Sequence, residues 1–556
     1  MKHTHQILAF LILSVLPLEA ICQGNTTLNP DDDYYLRILQ IAGITEDASS
    51  YHLRPYLYDR VGETEHPLIN WYDSGEGNDG HRKNVSINYH EPVLFQSYNT
   101  GLPRGANDGP IWQGRGYNSA FTIGVSGNLG PLHWKFQPVI GFAQNRAYEL
   151  APYEPFNNQI YNYRLTRIDF VQRYGPDTYQ WADIGESYVD LRFIGLRAGI
   201  SNEKVWIGPA VHNPLLFGYN APGFLHGHLS SNGPVETWIG NFEFSYLYGA
   251  FRVSDYFEGI SGNRDLVLAN ITSVKNLMFS YSPSFADGLS VGASRVFQER
   301  WPASFSDILS SFSKIFEPLT KEQLATEDNP TGYSLDNQMI TVFARWIFPN
   351  QGLDVYGEFG RNDHNFNMRD FRALPNHHRA YLIGLIKTFQ LSGERLLAVN
   401  YEMNQHEPPR SANILGGAEL SWHPHGGQIQ GFTNRGQLVS TEFGPGNNVQ
   451  SLSVKLYQPN KVMGLRVARI ERDNTRFFDD LPLVTQINDG RRESINFRTV
   501  EFMLGLEYAT EIGPGLQVMF NLDQSFVINQ HHIYKNDVFN SRLGVTIRKN
   551  IEGFLR

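Results

Sequence analysis

From Asn84 to the end of the chain, apolar side chains recur at every second position over long runs. Phe121, Ile123 and Val125 alternate with Thr122, Gly124 and Ser126. Val189, Leu191 and Phe193 alternate with Tyr188, Asp190 and Arg192, and Leu353, Val355 and Phe359 with Asp354, Tyr356 and Glu358. Nearer the C-terminus, Phe502, Leu504, Leu506 and Tyr508 alternate with Glu501, Met503, Gly505 and Glu507. The runs 516–523 and 542–548 repeat the pattern. Successive side chains of a β-strand point to opposite faces, so each run has one apolar face and one carrying charges or amides. A soluble sandwich also alternates. Length separates the two, because many runs reach about ten residues, enough for a tilted strand to cross a bilayer. The expected fold class is all-β, a transmembrane antiparallel β-barrel.

The connections support this. Short turns fall at 129–131, 349–352, 391–393, 459–460 and 512–514. Long polar segments fall at 99–117, 146–184, 209–235, 300–337, 363–378 and 473–495. Short and long connections broadly alternate, as in outer-membrane barrels with short periplasmic turns and long outer loops. For the long loops to share the outer side, one strand must precede Asn118, within 84–98. The count is then about 20 strands, 203–209 and 250–256 among them.

The N-terminus has a different character. Lys2, His3 and His5 precede an apolar run from Ile7 to Leu18, too short to span as a helix. It reads as a secretory signal, residues 1–23, cleaved near Gln23. Cys22 is the one cysteine and leaves with it, so the mature chain has no disulfide or thiol chemistry. Asn29 and Pro30 open a short helix with Asp31, Asp32 and Asp33 at its positive end, and Gly43 closes it. Residues 24–83 are expected as a periplasmic segment with short helices at the barrel mouth, and 84–556 as the barrel. Within 300–337, Ser306 is placed to cap an amphipathic helix bearing Ile308, Leu309, Phe312, Ile315 and Phe316 on one face. It either packs on its neighbours or plugs the barrel. Net charge is −10, from 46 basic and 56 acidic residues, which excludes a nucleic-acid partner held by basic surplus.

Several stretches, taken in order, resemble the Wzi-like capsule-assembly proteins of the outer membrane, in their Bacteroidetes form. They are HLRPY (52–56), ANDGPIWQGRGYN (106–118), NPLLFGYNAPGF (213–224), IGNFEF (239–244) and FTNRGQLVSTEFGPGNN (432–448). The resemblance implies a barrel of about 18 strands with a small periplasmic helical bundle, so that 18–20 strands are allowed. It also implies a role in attaching or organising capsular polysaccharide at the cell surface. The chain is expected to be a monomer in contact with outer-membrane lipids. It carries no individual site residue onto this chain.

Candidate ligand residues come from chemistry. Trp112 and Arg115 stand with Asn107, Asp108 and Gln113 in a glycine-rich loop. A Trp face offers a sugar an apolar platform, and Asn, Asp and Arg bind hydroxyls or acidic groups. The competing reading is structural: Asn-Asp-Gly is turn chemistry, and Arg115 pairs inside the lumen. In the loop 209–235, Asn220 and His226 are the further sugar-binding candidates. His226 with His228, and His423 with His425, lie two apart, but no third ligand joins them, so no metal and no cofactor is expected. H-E-x-x-H is absent, and Ser525 with His532 is an unspecific pair. The function expected is a non-enzymatic barrel that binds surface polysaccharide. The alternatives are a porin or small-molecule transporter, and a membrane-embedded hydrolase. Tyr188, Arg192, Tyr356, Glu358 and Arg548 are expected to crowd the lumen.

Overall fold

A computed structural model describes residues 31–45, 48–54, 66–68, 85–105, 107–151, 160–163, 168–257, 271–316, 326–327, 336–362, 367–373, 379–407, 422–425, 427–477, 497–513 and 515–549. Residues 1–23, expected as a signal and including Cys22, and the Asn29–Pro30 helix start lie outside them.

The wall is a closed antiparallel barrel of 18 strands. In chain order they are β1 (Val85–Asn99), β2 (Gly116–Leu129), β3 (Leu132–Phe136 with Val139–Ala143), β4 (Tyr179–Asp183 with Tyr188–Phe193), β5 (Leu196–Ser201) and β6 (His226–Ser231 with Val235–Thr237). Then come β7 (Gly240–Arg252), β8 (Ile271–Pro283), β9 (Leu289–Arg300), β10 (Asn337–Phe348), β11 (Leu353–Asn362) and β12 (Arg379–Leu391). The last six are β13 (Arg395–Gln405), β14 (Asn448–Gln458), β15 (Lys461–Arg472), β16 (Thr499–Glu511), β17 (Leu516–Ile528) and β18 (Val538–Lys549). Each strand pairs with the next, and β18 closes on β1, with Tyr98 opposite Leu543. The expected strand before Asn118 is β1. Its register slips between His90 and Val93, a bulge that accommodates Pro92, which has no amide proton for the ladder.

Short and long connections alternate without exception around the barrel. The alternation of side chains also holds. Leu465, Val467, Leu504, Leu506, Phe520 and Leu543 are exposed on the outer face, and Arg345, Asp354, Glu358, Asn400 and Glu402 are buried on the inner one. Bare apolar area costs about 25 cal/mol per Å² in water, so this belt belongs in lipid.

The larger count of about 20 strands is corrected to 18, and the reason is local. Trp206 and Ile207 do form a strand pair, but inside the barrel: they match Arg54 and Leu53 in a two-stranded ladder. The run is apolar on both faces because plug surrounds it. Residues 226–231, expected as outer loop, are wall instead.

The lumen is filled from both ends. Helix α1 (Asp31–Ile41) enters at the short-turn end, where the Arg37 guanidinium donates to Asp354 at 2.9 Å and Arg345 meets the same carboxylate at 2.8 Å. Loop 202–225 descends from the long-loop end, and Arg54 donates to its carbonyls at Gly208 (3.0 Å) and Ala210 (2.7 Å). Leu215, Leu216 and Phe217 are fully buried there. Gly208 takes a left-handed φ of 96°, and a side chain at that point would press into Glu358. Of the residues expected to crowd the lumen, Tyr356 donates to Glu402 at 2.9 Å, Tyr188 lies under Arg197 at 4.8 Å, and Arg548 meets Glu91 at 3.3 Å.

Helix α2 (Phe305–Ser313) does form within 300–337, but Ser304 caps it rather than Ser306, in a capping box with Asp307. It lies outside the barrel. A third short helix, α3 (Met368–Ala373), follows β11.

Candidate functional site

The loop 202–225 needs an anchor for its backbone, and Glu402 supplies one from the inner face of β13. Its carboxylate accepts the amides of Val211 (2.6 Å), His212 (3.1 Å) and Asn213 (2.9 Å). Three amides converging on one anion are a strong, charge-assisted clamp. Asn220 donates to the carbonyls of Leu438 (2.8 Å) and Thr441 (2.9 Å), tying this loop to the 433–447 loop. Trp422 reaches the Leu215 carbonyl at 2.7 Å.

Asn107 joins the same construction, donating to the His212 carbonyl at 3.1 Å. Asp108 accepts from Gln113 at 2.6 Å, and the other end of Gln113 accepts from Ser97 and from Arg542, both at 2.8 Å. Asn107, Asp108 and Asn220 are therefore brought together, within the plug. His226 lies apart from them on β6, buried, its Nδ1 at 2.7 Å from the Phe224 carbonyl. It lines a lumen cavity of about 70 Å³ with Arg54, Arg197, Glu203, His228 and Glu243. Among the described residues, no three His, Cys, Asp or Glu side chains converge to hold a metal.

Trp112 and Arg115 are placed differently, at the long-loop mouth. The Trp112 ring packs edge-on to Tyr174 at 4.9 Å, Tyr174 stacks on Tyr179 at 4.5 Å, and Tyr179 stacks on Trp181 at 5.4 Å. Tyr256 meets Tyr174 at 6.0 Å and Tyr161 at 5.6 Å. Tyr174 is buried at the centre, and the rings around it are half-buried. Tyr179 and Trp181 share a face because they are two apart on β4. Gly141 on β3 makes room, since a side chain there would collide with the Trp181 ring. Polar groups border the row. Arg435, its side chain 40% exposed, pairs with Asp183 at 2.6 Å. Arg115 is half-buried with its guanidinium at the surface, and it donates to the carbonyls of Thr100 (2.9 Å) and Ala147, bridging two loops across the rim.

The rim is held by buried titratable groups. Asp169 accepts from the Ser254 amide and hydroxyl, both at 2.6 Å, and from Asn162 at 3.1 Å. Burial pushes its carboxyl up to about 6 against those hydrogen bonds. His531 faces the Glu149 carbonyl at 3.1 Å, and His532 the Phe497 carbonyl at 3.1 Å. Burial pulls the first down to about 4 and the second to about 3, so both rings are neutral.

Tyr174, Tyr179, Trp181, Tyr256 and Arg435 were not among the sequence candidates. The segment YGPDTYQW (174–181) carried the signal, with three aromatic residues around a turn.

No protein-family model matches the chain. No curated protein matches it in sequence. Among solved structures, it is similar to Wzi of Escherichia coli, an outer membrane protein involved in group 1 capsule assembly and described as a carbohydrate binding β-barrel. The TM-score is 0.57 at 12% identity, over 95% of this chain and 99% of that one. The fold is Wzi-like. OprD of Pseudomonas aeruginosa, another outer membrane protein, aligns at a TM-score of 0.40 and 11% identity, over 84% of this chain and 94% of that one. The architecture shared with Wzi is the barrel fold. In the Wzi-like barrel described above, the lumen carries the plug and the mouth carries the aromatic row.

Proposed function

We propose that this chain binds capsular or another surface polysaccharide at its long-loop mouth and holds it at the cell surface, as a monomer and without catalysing a reaction. The observation that carries this reading is the row Trp112, Tyr174, Tyr179 and Trp181 set above a lumen filled by the chain's own loops. Long loops of outer-membrane barrels face outward, where such a polymer lies. Half-buried rings give sugar faces a rigid apolar platform, and Arg115 and Arg435 offer forked donors to hydroxyls or acidic sugars. Trp112 and Arg115 are the proposed contacts among the sequence candidates. Asn107, Asp108 and Asn220 act beneath them by fixing the loops, and His226 by lining the cavity. The described carbohydrate binding of the structurally similar Wzi barrel accords with this reading.

A porin needs a continuous water path, whereas here Arg37, Arg54 and Glu402 tie the plug to the wall or to itself along the lumen. The test is capsule retention. Cells carrying Trp112→Ala with Arg115→Ala should make normal amounts of surface polysaccharide, assemble the barrel and shed polymer into the medium. Normal retention by such cells would remove this mouth as the site.

A further inference from the structure

Helix α2 lies on the outer face of the barrel. On β8, Val274 and Met278 point into the core, so Lys275 between them points outward; on β9, Val296 points inward, so Phe297 and Glu299 point outward. This is the face that β14–β18 present to lipid as bare Leu and Val. Yet Lys275 and Phe297 are 0% exposed. What covers them is the helix. Ser311 and Lys314 both donate to Glu299, which also pairs with Lys275. Arg295 donates to the Ile315 carbonyl. Phe312 lies over Tyr248 at 5.0 Å and Tyr246 at 5.8 Å, and Trp301 stacks on Tyr248 at 6.3 Å.

At 3.6 residues per turn the helix and its following turn divide into sectors. Ile308, Ser311 and Ile315 face the wall. On one flank stand Leu309, Phe312 and Phe316, exposed by 57%, 41% and 73%. Next to them, facing away from the wall, stand Ser306, Ser310 and Ser313, and Asp307 lies on the remaining flank. A helix that merely capped a soluble loop would not keep three large apolar residues bare on one flank. A helix resting at the boundary between hydrocarbon and water needs this division.

We propose that α2 is an interfacial membrane helix, whose apolar flank inserts among the acyl chains of outer-leaflet lipid while its serine flank stays in the headgroup layer. It continues the lipid-facing belt where β7–β9 carry charge instead of hydrocarbon, and the occupant of its exposed flank is lipid. Glu299, ringed by Lys275, Lys314 and Ser311, is the latch that holds it down. The leaflet assignment rests on the long loops facing outward.

Spin labels placed at Leu309→Cys and, separately, Ser306→Cys in the full-length barrel in phosphatidylcholine vesicles test this. The label at position 309 should collide several-fold more with dissolved oxygen than with a water-soluble nickel chelate, and the label at 306 should show the reverse. Equal nickel access at both sites overturns the proposal, because the helix is then in water. Exclusion of both reagents from position 309 also overturns it, because protein and not lipid then covers the flank. An independent check uses brominated acyl chains: Trp301→Phe should reduce the fraction of tryptophan fluorescence they quench, and an unchanged fraction counts against insertion. Glu299→Gln should increase the mobility of the label at 309, whereas unaltered mobility would remove the latch.

Discussion

Glu402 in the lumen and Arg115 at the mouth are both charged groups that bind backbone, and the difference between them separates the two working regions of this barrel. Glu402 is 2% exposed and accepts three amides of one loop and a phenol. Arg115 also holds two carbonyls, but its guanidinium stays at the surface. The aromatic residues divide the same way. Phe217 and Phe432 meet edge-on at 5.4 Å with no surface left, whereas Trp112 and Tyr179 flank a buried Tyr174 and keep partly open faces. The same residue types thus close the barrel where the chain turns inward and remain available where it rests on the rim.

The largest effect should follow from breaking the plug. Glu402→Ala leaves the buried amide of Asn213 and the half-buried amides of Val211 and His212 without their acceptor, at up to about 1–3 kcal/mol each. Loop 202–225 should become cleavable by added protease, and planar bilayers should record channels that the wild type lacks. If the variant stays closed and resistant, the division between plug and mouth fails. Acid gives a second, smaller opening on the rim. The folded values of His531 and His532 are depressed from 6.5 to about 4 and about 3. Their stabilisation is therefore complete above 6.5 and is lost as pH falls through the folded values. Each pH step of one between the unfolded and folded values removes about 1.4 kcal/mol per ring. Hydrogen exchange around 497 and 529–537, corrected for intrinsic rate, should rise between pH 6.5 and 4. Exchange there that stays constant over this range would contradict the buried, neutral state of the two rings.

At the mouth, Trp112→Ala with Arg115→Ala removes a stacking ring, about 0.5–1.5 kcal/mol, and a charged donor, about 1.5–3 kcal/mol. Polysaccharide affinity measured on the purified barrel should fall by about one to two orders of magnitude, at roughly 1.4 kcal/mol per tenfold. The smallest effect is expected from Asn220→Ala. It deletes two hydrogen bonds inside the plug, about 1 kcal/mol each. Unfolding temperature should drop slightly with affinity nearly constant. An affinity loss equal to that of the mouth variant would show that plug and mouth act as one.

The wall was legible in the sequence because lipid and lumen impose opposite demands on neighbouring residues, and runs such as 501–508 record both. Loop asymmetry even located β1 before its alternation was clear. What misled was apolar sequence buried on all sides. Val205, Trp206 and Ile207 read as wall, and only their partners Leu53 and Arg54 reveal a plug. Strands β5 and β6 are too short to show a period. The amphipathic stripe of α2 was visible, but not what it covers, because Lys275 and Glu299 sit on other strands. At the mouth, Trp112 and Arg115 announced themselves by residue type. Tyr174 and Tyr179 come from one short segment, but Trp112 and Tyr256 reach Tyr174 from separate loops, and no local spacing encodes that meeting.

The closed barrel should bind polysaccharide through its aromatic mouth. Titrating purified capsular polysaccharide into the detergent-solubilised wild-type protein, with tryptophan fluorescence as the readout, tests it most directly. Saturable binding should change the emission of Trp112 and Trp181, and Trp112→Ala should diminish the signal. An emission that stays flat across the titration, from a barrel shown to be folded by its heat-dependent gel migration, would contradict the account.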